Sequence, residues 1–170
     1  MKRMILIITL TAVIISATAC DALLSSRLYD DFSQQAQAHF EAIIECIETQ
    51  NAAGLKEMFS PDTRNQVPSL DIQIQQLFAF CTGKMESFTK SAIGSSKSRD
   101  VGSNYQEVFT TYDFTTRDGN YRMAFLFCSI ASENPDNIGL HSVFIIRAEN
   151  SDRNRAYWGG DEWIPGVTIQ

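Results

Sequence analysis

The sequence predicts an α+β domain, three amino-terminal helices packed on a curved antiparallel sheet of about four strands. Three observations carry that prediction. Apolar residues recur at spacings of three and four as far as Cys81, the period changes to two after Lys84, and hairpin signals then break the chain at regular intervals. At 170 residues, 44% of them hydrophobic, the chain suffices for one compact domain.

Before that domain come two short segments. Met1 to Met4 is basic, Ile5 to Ile15 is apolar apart from Thr9 and Thr11, and Ser16 to Ala19 are small. Those are the three parts of a secretory signal, and the apolar run is too short for a spanning helix, which needs about 20 residues. Ala17-Thr18-Ala19-Cys20 resembles a lipobox, with Ala17 in the place usually held by leucine. The resemblance implies a bacterial lipoprotein with a diacylglycerol on Cys20 and cleavage before it. Ordinary secretion after cleavage near Ala19 is the alternative. The expected organisation is therefore a signal peptide over 1–19, a lipidated cysteine and tether over 20–29, and the domain over 30–170.

Phe32, Ala36, Phe40, Ile43, Ile44 and Ile47 form one face of the first helix, with Gln34, Gln37, Glu41, Glu45 and Glu48 on its wet sides. Asn51 caps a second, short helix with Leu55, Met58 and Phe59 inward, stopping at Ser60-Pro61-Asp62 before a polar loop. The third helix starts at Pro68-Ser69, buries Leu70, Ile74, Leu77, Phe78 and Cys81, and ends at Gly83.

Met85 to Ile93 reads as the first strand and Gly94 to Asn104, rich in Ser and Gly, as a loop. The second strand runs from Tyr105 to about Thr116. Arg117-Asp118-Gly119-Asn120 offers an Asp-Gly pair for a hairpin with positive φ, and the third strand follows from Tyr121 to about Ser132. Asn134-Pro135-Asp136-Asn137 turns the chain into the fourth, Ile138 to Arg147. Both faces of the third and fourth strands are apolar. Helices cover one, so a curl of the sheet, the carboxyl-terminal segment or a second molecule must cover the other.

The order of elements resembles the cone-shaped fold of the nuclear transport factor 2-like superfamily, related in shape to cystatin-like folds. More narrowly, Phe59-Ser60-Pro61, the helix from Leu70 to Phe80, Gly83-Lys84, Tyr121 to Phe125, Ile138-Gly139-Leu140 and Trp163 to Val167 resemble an uncharacterised family of clostridial lipoproteins over about residues 30–170. The resemblance implies a conical sheet that encloses a pocket with the helices. It implies no catalytic signature.

Charge narrows the function. The net charge is −6, and removal of Lys2 and Arg3 with the signal leaves about −8. That balance argues against nucleic-acid binding and against adhesion through a polybasic patch, so the expected membrane contact is lipid on Cys20. Cys46, Cys81 and Cys128 are expected to be free thiols, two of them on core faces. His39 and His141 lack a His or Cys partner at metal-ligand spacing, no phosphate loop or nucleophile elbow occurs, and no cofactor is expected.

Candidate ligand-binding residues are Tyr112, Tyr121, His141, Trp158 and Trp163. Asp113 with Tyr121 and His141 would suit acid–base chemistry in a small hydrolase or isomerase, but Tyr112 and Asp113 point to opposite sheet faces. Trp158 and Trp163 either grip a ligand or close the core over the sheet. The leading reading is a noncatalytic domain on the extracytoplasmic face of the cell membrane that binds a small ligand or an envelope protein, with a homodimer through the sheet as one arrangement. A structural adaptor near the bilayer is the third reading.

Overall fold

The computed structural model describes residues 31–100, 103–150 and 163–170. The signal, Cys20, the tether and Trp158 lie outside them. Two compact units divide the chain, Met1–Gln35 and Ala36–Gln170. Residues 31–35 are helical, and the architecture described below belongs to the second unit.

Helix α1 continues to residue 49, and its expected stripe of Ala36, Phe40, Ile43, Ile44 and Ile47 is buried. It ends in a Schellman motif. Gln50 takes the left-handed conformation at φ 55°, its N–H donates to Ile47 O, and the Asn51 N–H donates to Cys46 O at 2.9 Å. A non-glycine there costs about 1 kcal/mol, and the Gln50 amide partly offsets it by donating to Ile47 O. Asn51 then caps α2, Ala52–Met58, by accepting from the Gly54 N–H.

The polar loop expected next is instead a helix, α3, Pro61–Gln66. Ser60-Pro61-Asp62 is a start signal as much as a stop. The Ser60 hydroxyl accepts from Thr63 N, Pro61 stands at the first helical position where no N–H is needed, and Asp62 faces the positive helix end. Helix α4, Leu70–Phe80, buries Leu70, Ile74, Leu77 and Phe78 as its spacing predicts, and Cys81 caps it. The described helices thus number four rather than three.

The strands follow as β1 Met85–Asp100, β2 Ser103–Thr116, β3 Gly119–Ala131, β4 Gly139–Arg147 and β5 Gly166–Ile169. They lie side by side in chain order, β1 to β4 antiparallel and β5 parallel to β4. The fifth strand was not expected. It is fixed by the Gln73 side chain of α4, which accepts from Val167 N at 2.9 Å. Bulges in each antiparallel pair bend and twist the meander into a curved, unclosed sheet.

Two further expectations are corrected. The segment from Gly94 to Asn104 is not a loop: Gly94 pairs with Phe109 and the ladder runs on to Asp100 and Ser103. The Phe109 ring lies where a side chain on Gly94 would stand, which restores the packing the glycine lacks. At the next hairpin Thr116 pairs with Gly119, so the loop is Arg117-Asp118, and neither Asp118 nor Gly119 has positive φ. Positive φ appears instead at Gly139, where a Cβ would strike the backbone of Met58 and Ser60. There Ser60 N donates to Leu140 O at 2.8 Å, joining α2 to β4.

The core lies between α1, α4 and one sheet face. Phe40 stacks on Tyr112 at 4.2 Å and meets Phe114 edge-on, and Phe80 does the same to Tyr121. Fully burying such a ring contributes about 1.5–3 kcal/mol, and Phe40, Phe59, Tyr112, Tyr121, Phe125 and Phe127 are all below 2% exposed. On the opposite face Ala124, Phe144 and Ile146 are also buried, and Trp163 packs against them. Trp163 of the carboxyl-terminal segment therefore covers the second apolar face where β3 and β4 run side by side, whereas Phe109 on β2 stays 42% exposed.

Candidate functional site

A cleft of about 500 Å³ opens where α1 and α4 end. Ile47, Glu48, Thr49 and Gln50 line it from the first helix, Phe78 and Cys81 from the other, and Thr82, Gly83 and Lys84 from the link to β1. Several bonds hold these walls. The Tyr121 hydroxyl donates to Phe80 O at 3.2 Å and accepts from Thr82 N, while the Thr116 hydroxyl donates to Thr82 O at 2.7 Å. One Glu48 carboxylate oxygen accepts from Met85 N at 2.8 Å and so ties the end of α1 to the start of β1. Gly83, at φ +82°, makes the bend between α4 and β1.

The floor is apolar and the rim polar. Ile47, Phe78 and Cys81 are buried, whereas Glu48, Thr49, Gln50, Thr82 and Lys84 are exposed. Burial pushes the Cys81 thiol up to about 12, with Arg147 opposing and Glu48 reinforcing the shift. A thiol so disposed is a small apolar surface and not a nucleophile. Arg147 lies over the rings of Tyr121 and Phe80, at 4.5 and 5.4 Å, backing the wall from behind.

The residues singled out from sequence occupy other places. Tyr112 is 1% exposed in the aromatic core, and its hydroxyl has no hydrogen-bond partner among the described residues. Burial raises its phenol, while the nearby Thr110 hydroxyl, itself donating to Ala92 O, opposes the shift from outside bonding geometry. Tyr121 braces the cleft without lining it. Asp113 is on the other face of β2, where Arg122 donates to it at 2.5 and 2.9 Å and Ser91 donates as well. The Arg122 guanidinium, helped by Ser91, holds that carboxyl below its usual range against the opposing effect of burial.

Asp113 and Tyr121 both border a smaller recess of about 170 Å³ with Thr115 and Asn120. Their reactive groups nevertheless diverge. His141 is further still: Tyr121 pairs with Arg147, which places His141 about 20 Å along the strand at about 3.3 Å per residue. Its Nδ1 meets the Ser142 hydroxyl at 2.9 Å, and that hydroxyl donates to Ile164 O, so Nδ1 carries the hydrogen. The structure thus brings no Asp–Tyr–His set together. Trp163 takes the core-closing role that was the alternative to ligand binding.

The cleft itself was not anticipated. Its rim consists of ordinary helix-end and loop residues, and the local signals, an acid late in α1 and Gly83-Lys84 after α4, belong to no binding or catalytic motif. Among the described residues no group of His, Cys, Asp and Glu has the arrangement of a metal site, and no helix is long and apolar enough to cross a membrane.

A family model described as a domain of unknown function, DUF5104, matches residues 42–148, more than half of the chain. The chain belongs to that family. The DUF5104 match takes in both walls of the cleft and strands β1 to β4, and it stops before Trp163 and β5. No curated protein matches the chain. Membership in DUF5104 agrees with the uncharacterised family expected from the sequence, and it brings no activity with it.

Proposed function

We propose that this DUF5104 protein is a lipid-anchored lipoprotein on the extracytoplasmic face of the cell membrane, and that its domain is a noncatalytic binding module with the cone-like architecture of the nuclear transport factor 2-like superfamily. The observation that carries the binding role is the cleft between the ends of α1 and α4, a concave site of ligand size with an apolar floor and a braced polar rim. Support for noncatalysis is the separation of Asp113, Tyr121 and His141. The curved meander under helices supports the cone, and the signal with Cys20 supports the anchor.

Two measurements test this reading. The intact mass of protein purified from bacterial membranes should show a chain starting at Cys20 with added diacylglycerol, lost in Cys20→Ala; an unmodified chain starting elsewhere removes the anchor. Small-molecule fractions of a cell-envelope extract, titrated into isotope-labelled full-length protein, should shift the amide resonances of Glu48–Gln50 and Thr82–Lys84. Thr82→Trp, which fills the cleft, should abolish those shifts. Unmoved cleft resonances with every fraction would remove the binding role.

A further inference from the structure

We infer that the cleft at the ends of α1 and α4 selects a zwitterion, a free α-amino acid with an aliphatic side chain. The inference rests on the reading of that cleft as the binding site and names its ligand class. The helix ends themselves are largely answered within the fold. Cys46 O accepts from Asn51 N, Ile47 O from Gln50 N, Leu77 O from Cys81 N, and Phe80 O from the Tyr121 hydroxyl. Selection therefore falls to the two charged side chains that line the cleft, Glu48 and Lys84.

These two stand side by side without pairing. Glu48 accepts from Met85 N at 2.8 Å, which pins its carboxylate beside the residue that follows Lys84 and uses one of its two oxygens. Among the described residues, however, no ion pair joins Lys84 to Glu48. Both signs of charge also reach the floor, where Arg147 behind the wall and Glu48 act on the Cys81 thiol in opposite directions. A ligand with a single charge would gain from one of these groups and be opposed by another. A zwitterion meets both signs: its ammonium donates to the second Glu48 oxygen, its carboxylate accepts from Lys84, and its net charge is zero. An aliphatic side chain then lies on Ile47, Phe78 and Cys81, and the cleft of about 500 Å³ has room for it.

Leucine and its two single-charge analogues separate these cases. Isoamylamine hydrochloride lacks the carboxylate, sodium isocaproate lacks the ammonium, and both keep the side chain. Each is titrated into isotope-labelled full-length protein and followed at the amides of Glu48–Gln50 and Thr82–Lys84. Leucine is expected to saturate those shifts and to bind about fivefold more tightly than either analogue, the size of one exposed charged contact. Glu48→Gln keeps an acceptor for Met85 N and should erase the advantage of leucine over isocaproate while leaving its advantage over isoamylamine. Lys84→Met should do the reverse.

Leucine that binds no more tightly than isoamylamine, or no more tightly than isocaproate, overturns the zwitterion assignment while leaving the cleft a binding site. So does a variant that leaves its own comparison unchanged, or one that changes both comparisons alike, because Glu48 and Lys84 then do not hold opposite ends of the ligand. Cleft resonances unmoved by all three probes overturn the assignment, and the extract titration then decides whether the cleft binds anything.

Discussion

The same substitution at two buried tyrosines should move stability in opposite directions. Tyr112 and Tyr121 lie on the same sheet face, 1% and 0% exposed, each within the aromatic core. Their hydroxyls differ. That of Tyr121 bonds to Phe80 O and Thr82 N, whereas that of Tyr112 has no partner among the described residues. Leaving a buried polar group unsatisfied costs about 1–3 kcal/mol, and a made bond contributes about 0.5–1.5 kcal/mol net.

Tyr112→Phe keeps the stacking on Phe40 and deletes only the unsatisfied hydroxyl, so it should stabilise the fold by about 1 kcal/mol. Tyr121→Phe leaves a carbonyl and an N–H without their partner and should destabilise it by about 1–2 kcal/mol. For a domain of this size each kcal/mol moves the melting temperature by about 2–4 °C, so the two variants should melt on either side of the parent. Thermal unfolding of the full-length protein at pH 7, repeated in urea, reads the difference. A Tyr112→Phe variant that melts as low as Tyr121→Phe would refute the reasoning, because the hydroxyl must then have a partner such as an ordered water.

Burial lowers the His39 pKa below 6.5, since the half-buried imidazole against Phe127 resists protonation. The folded state then takes up its proton later than the unfolded one, so stability falls as pH drops from about 6.5 through the lowered value; His39→Gln should flatten that slope between pH 7 and 5, and an unchanged slope contradicts it. In a Cys20→Ala background all three remaining thiols are buried and raised in pKa, Cys81 to about 12. At pH 8 the Cys81 thiolate is about one part in ten thousand, so native protein should resist Ellman's reagent and react fully in denaturant; rapid native labelling would contradict this. Gly94→Val, favourable by strand propensity alone, should destabilise β1 by about 1 kcal/mol through collision with Phe109 and speed amide exchange over Ser95–Ser98; a stabilised variant would show that the ring does not pack there.

Much of the fold was legible because burial follows period. Ile43, Ile44 and Ile47, or Leu70, Ile74 and Leu77, have one face each, and the structure buries it. Misreadings fell where one local signal has two meanings. Ser60-Pro61-Asp62 ends α2 and begins α3, and Asp118-Gly119 marks a hairpin without using positive φ. Serine and glycine after Ile93 suggest a loop only while Phe109 is out of sight, for it is a residue on the neighbouring strand that makes Gly94 acceptable in β1. Strand β5 has four residues and depends on Gln73 in a distant helix.

The candidate site was legible in neither place nor type. Tyr121 was singled out as a ligand contact and proves to be a brace behind the wall. The wall itself is made by Glu48 and Lys84, plain surface residues until the sheet brings the ends of two helices together.

The parallel placement of β5 also sets an order of events. Strands β1 to β4 each pair with their chain neighbour, so those ladders close through short loops and form early. The fifth strand must first cross from one end of β4 to the other, and its docking also waits for α4 to present Gln73. Until it arrives, the edge of β4 from Ser142 to Ile145 is a row of unanswered peptide groups flanked by valine, phenylalanine and isoleucine, a template for any other unfolded chain nearby. Aggregation during folding should therefore be governed by how quickly this last parallel strand docks, more than by the stability of the meander it completes.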